Sequence, residues 1–129
     1  MIDDSYNASP GSMAAALHVL QLAPKGSLKV AVLGDMLELG DHAGRAHEEI
    51  GTLAGKTADV VIAVGEFASR VVQSARQAGL ATDRAFVVQG TDEAVAKLAP
   101  LLAPQTQVLV KGSRGMRLER VVEQIREGS

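Results

Sequence analysis

The chain contains no cysteine, which removes disulfides and thiolate metal sites from consideration. It has no tryptophan either, and aromatic residues make up only 2% of its 129 positions. Ala, Val and Leu must therefore fill the core, and such small side chains suit helices packed closely on a sheet. Charge of one sign is also scarce, since 13 basic residues stand against 15 acidic ones for a net of -2. That balance argues against nucleic acid or another polyanion as a partner bound through bulk charge, so any anion site must be local. No apolar run approaches the roughly 20 residues of a membrane span. The opening MIDDSYNASP lacks the basic segment and following apolar stretch of an export signal. The expectation is one cytoplasmic globular domain over 1–129, with no membrane partner.

What is present begins with Leu28-Lys29-Val30-Ala31-Val32-Leu33, nearly continuous in apolar residues. This is the pattern of a strand covered on both faces rather than the alternation of a half-exposed one. It runs into Gly34-Asp35-Met36-Leu37-Glu38, and in open parallel sheets ligands bind beyond the carboxyl ends of the strands. Upstream, Ile2-Asp3-Asp4 reads as the tail of a strand whose beginning is missing, as in a cut piece of a longer chain. Ser9-Pro10 reads as an N-cap and first helical residue, with Met13, Leu17 and Leu20 at helical spacing. Downstream, Ala46, Ile50, Leu53 and Ala54 mark a second helix, and Val60 to Val64 a second buried strand. Phe67, Val71, Ala75 and Ala78 mark a third helix, and Ala85 to Val88 a strand. A helix over Ala94 to Leu102, a strand at Val108 to Val110 and a last helix through Leu118, Val121, Val122 and Ile125 complete the chain. Strand and helix alternate at the spacing of right-handed crossovers, which predicts a Rossmann-like three-layer αβα domain with a mostly parallel sheet.

Candidate sites differ in weight. Gly51-Thr-Leu-Ala-Gly55-Lys56-Thr57 imitates a phosphate-binding loop, but it has three residues between its glycines instead of four and continues a helix. The dinucleotide fingerprint is missing after Leu33, which disfavours NAD bound in the usual manner. Lys111-Gly112-Ser113-Arg114-Gly115-Met116-Arg117 gathers cations at a helix start, where partial positive charge favours acids, so an anion is implied there. A solvated basic turn pairing with Glu119 or Glu123 explains the same residues equally well. Asp3, Asp4, Asp35 and Glu38 lie at the ends of neighbouring strands, where converging carboxylates would suit an ammonium group or Mg²⁺. Capping is the plain alternative, preferred for Asp41 and not for Asp35. His18, His42 and His47 lack zinc-site spacing.

Three of these stretches together resemble the C-terminal domain of the Mur ligase family. They are Asp3-Asp4-Ser5-Tyr6-Asn7-Ala8-Ser9-Pro10 with Met13; Val32 to Gly40 with His47 and Gly51; and Val110 to Met116 with Glu119. The resemblance covers essentially the whole chain, and within the family it points to the branch that joins D-Ala-D-Ala to UDP-N-acetylmuramoyl-tripeptide. It implies a monomeric three-domain ligase of which this is the third domain, paired with N-terminal and central domains of the same protein. The N-terminal domain would hold the UDP-sugar, and the central domain would carry the phosphate loop, a modified lysine and the Mg²⁺ ligands. The chemistry implied uses ATP to make an acyl phosphate that the dipeptide amine attacks. By the same resemblance Asp4, Tyr6 and Asn7 face the nucleotide, and Asp35, Lys111, Ser113 and Arg114 belong to the binding of the incoming amino acid or dipeptide. Glu38 and His47 would hold the loop against the next helix. Ser9 and Ala43 depart from the family's usual asparagine and serine. A ligase for another amino acid and a non-catalytic small-ligand domain of the same fold are the alternatives.

Overall fold

The computed structural model describes residues 2–4, 9–37, 39–112 and 120–123. Five strands, β1 (Ile2–Asp4), β2 (Leu28–Leu33), β3 (Val60–Val64), β4 (Ala85–Val88) and β5 (Thr106–Lys111), form one sheet in the order β1-β5-β2-β3-β4. Every pairing among them is parallel. The helices between them are α1 (Pro10–Gln21), α2 (Ala43–Thr57), α3 (Ala68–Gln77) and α4 (Thr91–Leu98).

The handedness of the crossovers decides where the helices go. From β1 through β4 the chain moves across the sheet in one direction, so right-handed connections put α1, α2 and α3 on one face. From β4 to β5 the chain returns, so α4 lies on the other. The core divides accordingly. Ala31, Leu33, Val61, Ala63, Ala85 and Leu109 pack with Leu17, Ile50 and Val71 on the first face. Val30, Val32, Val60, Ile62, Val108 and Val110 pack with Leu98 and Val121 on the second. Residues 30–33 are all buried because alternate side chains enter different cores, which explains the unbroken apolar run.

Local signals account for most boundaries. Ser9 caps α1: its hydroxyl accepts from the Ser12 N–H at 3.2 Å, and the Ser12 hydroxyl accepts from the Ser9 N–H at 2.9 Å, a reciprocal box with Pro10 at the first position. Against expectation α4 opens at Thr91 rather than Ala94 and ends at Leu98. The chain tightens into a 3-10 turn, Ala99–Leu101, at Pro100, whose ring and missing N–H do not allow an α-helix to continue. Phe67 precedes α3 instead of belonging to it. Residues 120–123 are helical, with Val121 and Val122 buried, whereas Leu118 and Ile125 of the expected last helix lie outside the described residues.

The imitation phosphate loop is indeed part of α2, and its glycines have a packing role. A β-carbon at Gly51 would lie 2.9 Å from both Val71 Cα and Ser74 Cβ, and one at Gly55 would lie 2.9 Å from Ala75 Cα. These glycines let α3 approach backbone to backbone.

Candidate functional site

In open parallel sheets ligands bind in a crevice beyond the carboxyl ends of the strands, and here the ends of β2 and β5 that carry the sequence motifs lie side by side. Pairing continues one residue past the strands, since the Gly34 N–H donates to the Lys111 carbonyl at 2.8 Å. Lys111 is 1% exposed and stands in register between Leu33 of β2 and Asp4 of β1. The sheet thus brings the backbones at Asp4, Lys111 and Gly34 to one edge, although β1 and β2, expected to be neighbours, are separated by β5. Tyr6, Asn7, Glu38, Ser113 and Arg114 lie outside the described residues, as do Glu119 and Arg117.

Asp35 behaves differently from the expectation. Its carboxylate is buried, and each oxygen accepts a backbone hydrogen bond, from the Glu66 N–H at 2.9 Å and the Phe67 N–H at 3.0 Å. Those are free N–H groups at the start of α3, which has no other side-chain cap. Capping, preferred in the sequence for Asp41, is therefore what Asp35 does, while α2 begins after Asp41 without a side-chain cap. The reason is tertiary, because the groups Asp35 caps lie 31 and 32 residues away in the chain. The convergence of Asp35 with Asp3, Asp4 and Glu38 on a cation is replaced by this inward turn. Among the described residues no three His, Asp or Glu side chains are grouped to hold a metal ion.

Gly65 makes the arrangement possible. Its φ of +116° is a conformation that side chains resist, and a β-carbon there would sit 2.6 Å from Asp35 Cγ. His47, on the buried side of α2, completes the support. Its Nε2 accepts the Met36 N–H at 2.9 Å, so Nδ1 carries the proton and donates it to the Ala43 carbonyl at 2.7 Å. Nε2 also lies 4.0 Å from an Asp35 oxygen. The imidazole stacks on the Phe67 ring, with centroids 4.2 Å apart and planes 13° from parallel. The loop-holding role expected of His47 is thus present in atomic detail. The sequence marks Phe67 only as a helix residue and Gly65 only as a strand end, and their part in this cluster comes from tertiary contacts.

Other clefts lie elsewhere. One of about 490 Å³ runs along α3 and Val87, and one of about 350 Å³ sits among Leu28, Val60, Phe86 and Leu101 at the amino ends of the strands. Neither reaches the carboxyl ends of β2 and β5.

A parallel αβα domain with this strand order has a clear counterpart among known proteins. The family model described as "Mur ligase, glutamate ligase domain" matches residues 1–114, and the chain belongs to that family, that of the Mur ligase C-terminal domain. Its relatives carry a more particular name. The UDP-N-acetylmuramoyl-tripeptide–D-alanyl-D-alanine ligase of Escherichia coli is 34% identical over 130 residues, covering 98% of this chain and 27% of the relative. The ligase of the same name from Treponema pallidum is 39% identical over 126 residues, covering 96% and 27%. Among solved structures, a MurF from Acinetobacter baumannii superposes with a TM-score of 0.82 at 36% identity, covering 97% of this chain and 27% of that one. A MurF ligase from Thermotoga maritima in complex with ADP superposes with a TM-score of 0.80 at 28% identity, with the same coverage. The chain spans about a quarter of the length of the relatives it matches. No helix among the described residues is long and apolar enough to cross a membrane.

Proposed function

We propose that this chain acts as the third domain of a cytoplasmic, monomeric ligase that uses ATP to join D-Ala-D-Ala to UDP-N-acetylmuramoyl-tripeptide, a step of peptidoglycan precursor synthesis. The observation that carries the reading is the carboxyl edge of β2 and β5, where the Gly34 N–H and the Lys111 carbonyl meet at hydrogen-bond distance, in a chain whose relatives are ligases of that name. The reaction needs two substrates brought together. A tripeptide carboxylate oxygen takes the γ-phosphoryl group of ATP, releasing ADP. The dipeptide amine then attacks the carbonyl carbon, inorganic phosphate leaves and the nitrogen gives up a proton. A carboxylate resists amine attack until its oxygen becomes part of a good leaving group, and fixed positive groups offset the charge that accumulates.

In this reading the crevice supplies one wall of the site and the N-terminal and central domains of the ligase supply the other. Asp4, at the end of β1, with Tyr6 and Asn7 faces the nucleotide. Ser113 and Arg114 bind the dipeptide, with the Arg114 guanidinium matched to its free carboxylate as a two-pronged partner, while Lys111, buried at the end of β5, contributes its positive charge from beneath the surface. Asp35 shapes this wall by fixing the loop rather than by offering free oxygens. The family resemblance places the Mg²⁺ ligands on the central domain.

The test is phosphate release by the full-length ligase carrying this domain, dependent on both D-Ala-D-Ala and the UDP-linked tripeptide. Arg114→Ala is expected to raise the dipeptide KM by roughly 10-fold or more, the loss of about 1.5–3 kcal/mol typical of a charged hydrogen bond. An unchanged KM would remove Arg114 from the site, and turnover by residues 1–129 alone would overturn the division of labour between domains.

A further inference from the structure

We propose that His47 is a positioning residue for this crevice, acting through a single hydrogen bond that pins the backbone of the Gly34-Asp35-Met36 loop. The proposal rests on the ligase reading above and assigns a task to a buried side chain that touches neither substrate.

The loop is held from three sides. The Gly34 N–H is bonded to Lys111, the Asp35 carboxylate is bonded to the loop that follows β3, and the Met36 N–H is bonded to His47 Nε2. Only the last of these ties it to α2. His47 is 1% exposed, so water does not reach Nε2 to take over its task. Its orientation is fixed twice, by the bond from Nδ1 to the Ala43 carbonyl and by the stack on Phe67. Phe67 in turn donates its N–H to Asp35, so the cluster closes on itself and couples the ends of β2 and β3 to the start of α2. Immediately beyond the pinned Met36, Leu37 turns outward and is 53% exposed. The bond therefore sets the direction in which the loop leaves the sheet and enters the crevice wall. Displacements on the order of 1 Å in such a wall are enough to cost about 100-fold in rate.

The ring's two nitrogens have different tasks, which allows them to be separated. In His47→Gln the side-chain oxygen reaches the place of Nε2 and can accept from Met36. In His47→Asn the amide reaches only the place of Nδ1 and can bond Ala43, leaving the Met36 N–H without its partner. In the full-length ligase, His47→Asn is expected to lower kcat by roughly 10- to 100-fold, with the KM for the UDP-linked tripeptide unchanged because another domain holds it. His47→Gln should recover most of that loss. A merely structural role would lower the melting temperature of both variants and leave the kinetics of the folded enzyme alone.

Amide hydrogen exchange in the chain of 129 residues provides a readout independent of activity. The Met36 amide should be protected in the wild type and in His47→Gln, and should lose protection in His47→Asn. Normal kcat in a folded His47→Asn enzyme, or an equal loss in both variants, would overturn the proposal. So would a Met36 amide that stays protected in His47→Asn. A wild-type enzyme without ligase activity would refute the ligase reading instead, and the exchange pattern would then judge the pinning bond by itself.

Discussion

Replacing Gly51 with alanine sets two well-understood effects against each other. Alanine in a helix interior is favoured over glycine by about 1 kcal/mol, so propensity alone predicts a more stable protein. The fold predicts the opposite. The added carbon would lie 2.9 Å from Val71 Cα and from Ser74 Cβ, atoms fixed to the backbone of α3 that cannot turn aside. Overpacking of this kind costs about 1–3 kcal/mol, and contact with backbone places it at the upper end. The expected net loss is about 2 kcal/mol, equivalent to a fall in Tm of roughly 6–10 °C for a domain of this size. Gly44→Ala is the internal control. A carbon there meets Arg70 Nη1 at 2.6 Å, the end of an exposed side chain paired with Glu48 at 3.1 Å. Arg70 can swing away for the loss of a surface pair, so stability should stay within about 0.5 kcal/mol of wild type. Urea unfolding followed by far-ultraviolet circular dichroism measures both, since the chain has no tryptophan. A Gly51→Ala protein as stable as the wild type, or a Gly44→Ala protein equally weakened, would refute the reasoning.

Asp35→Ala removes the acceptor of two N–H groups at the start of α3 and should cost about 2 kcal/mol, with faster amide exchange at Glu66 and Phe67. A loss below about 0.5 kcal/mol would show that water replaces the carboxylate. Ile62→Ala truncates a fully buried side chain in the middle of β3, in the core shared with α4, and should cost about 2–5 kcal/mol in the same unfolding experiment. A smaller loss would mean that α4 settles into the space.

Much of the fold was legible because its signals are local. Buried strands announce themselves as unbroken apolar runs, and Ser9-Pro10 specifies a helix start within four residues of chain, through the Ser9–Ser12 box. The alternation of strand and helix leaves few topologies once crossovers must be right-handed. The candidate site was legible in part. Asp4, Gly34 and Lys111 fall at strand ends, and parallel strands carry their carboxyl ends to one edge whatever their order. The capping by Asp35 was not legible, because nothing in its sequence neighbourhood reveals that the N–H groups of residues 66 and 67 come within reach. The two glycines of α2 imitated a phosphate loop because spacing in sequence does not say whether a missing side chain faces a ligand or another helix.

The amino-acid sequence by itself determined the element types, the parallel αβα class and the three motifs that mark the family. These depend on periodicity, capping and residue order, which are written along the chain. Only the tertiary structure decided that β5 inserts between β1 and β2, that Asp35 turns inward to cap α3, and that His47 holds Met36 while stacking on Phe67. Each of these is a contact between segments far apart in sequence, and such contacts are chosen by which faces pack together after the strands have paired.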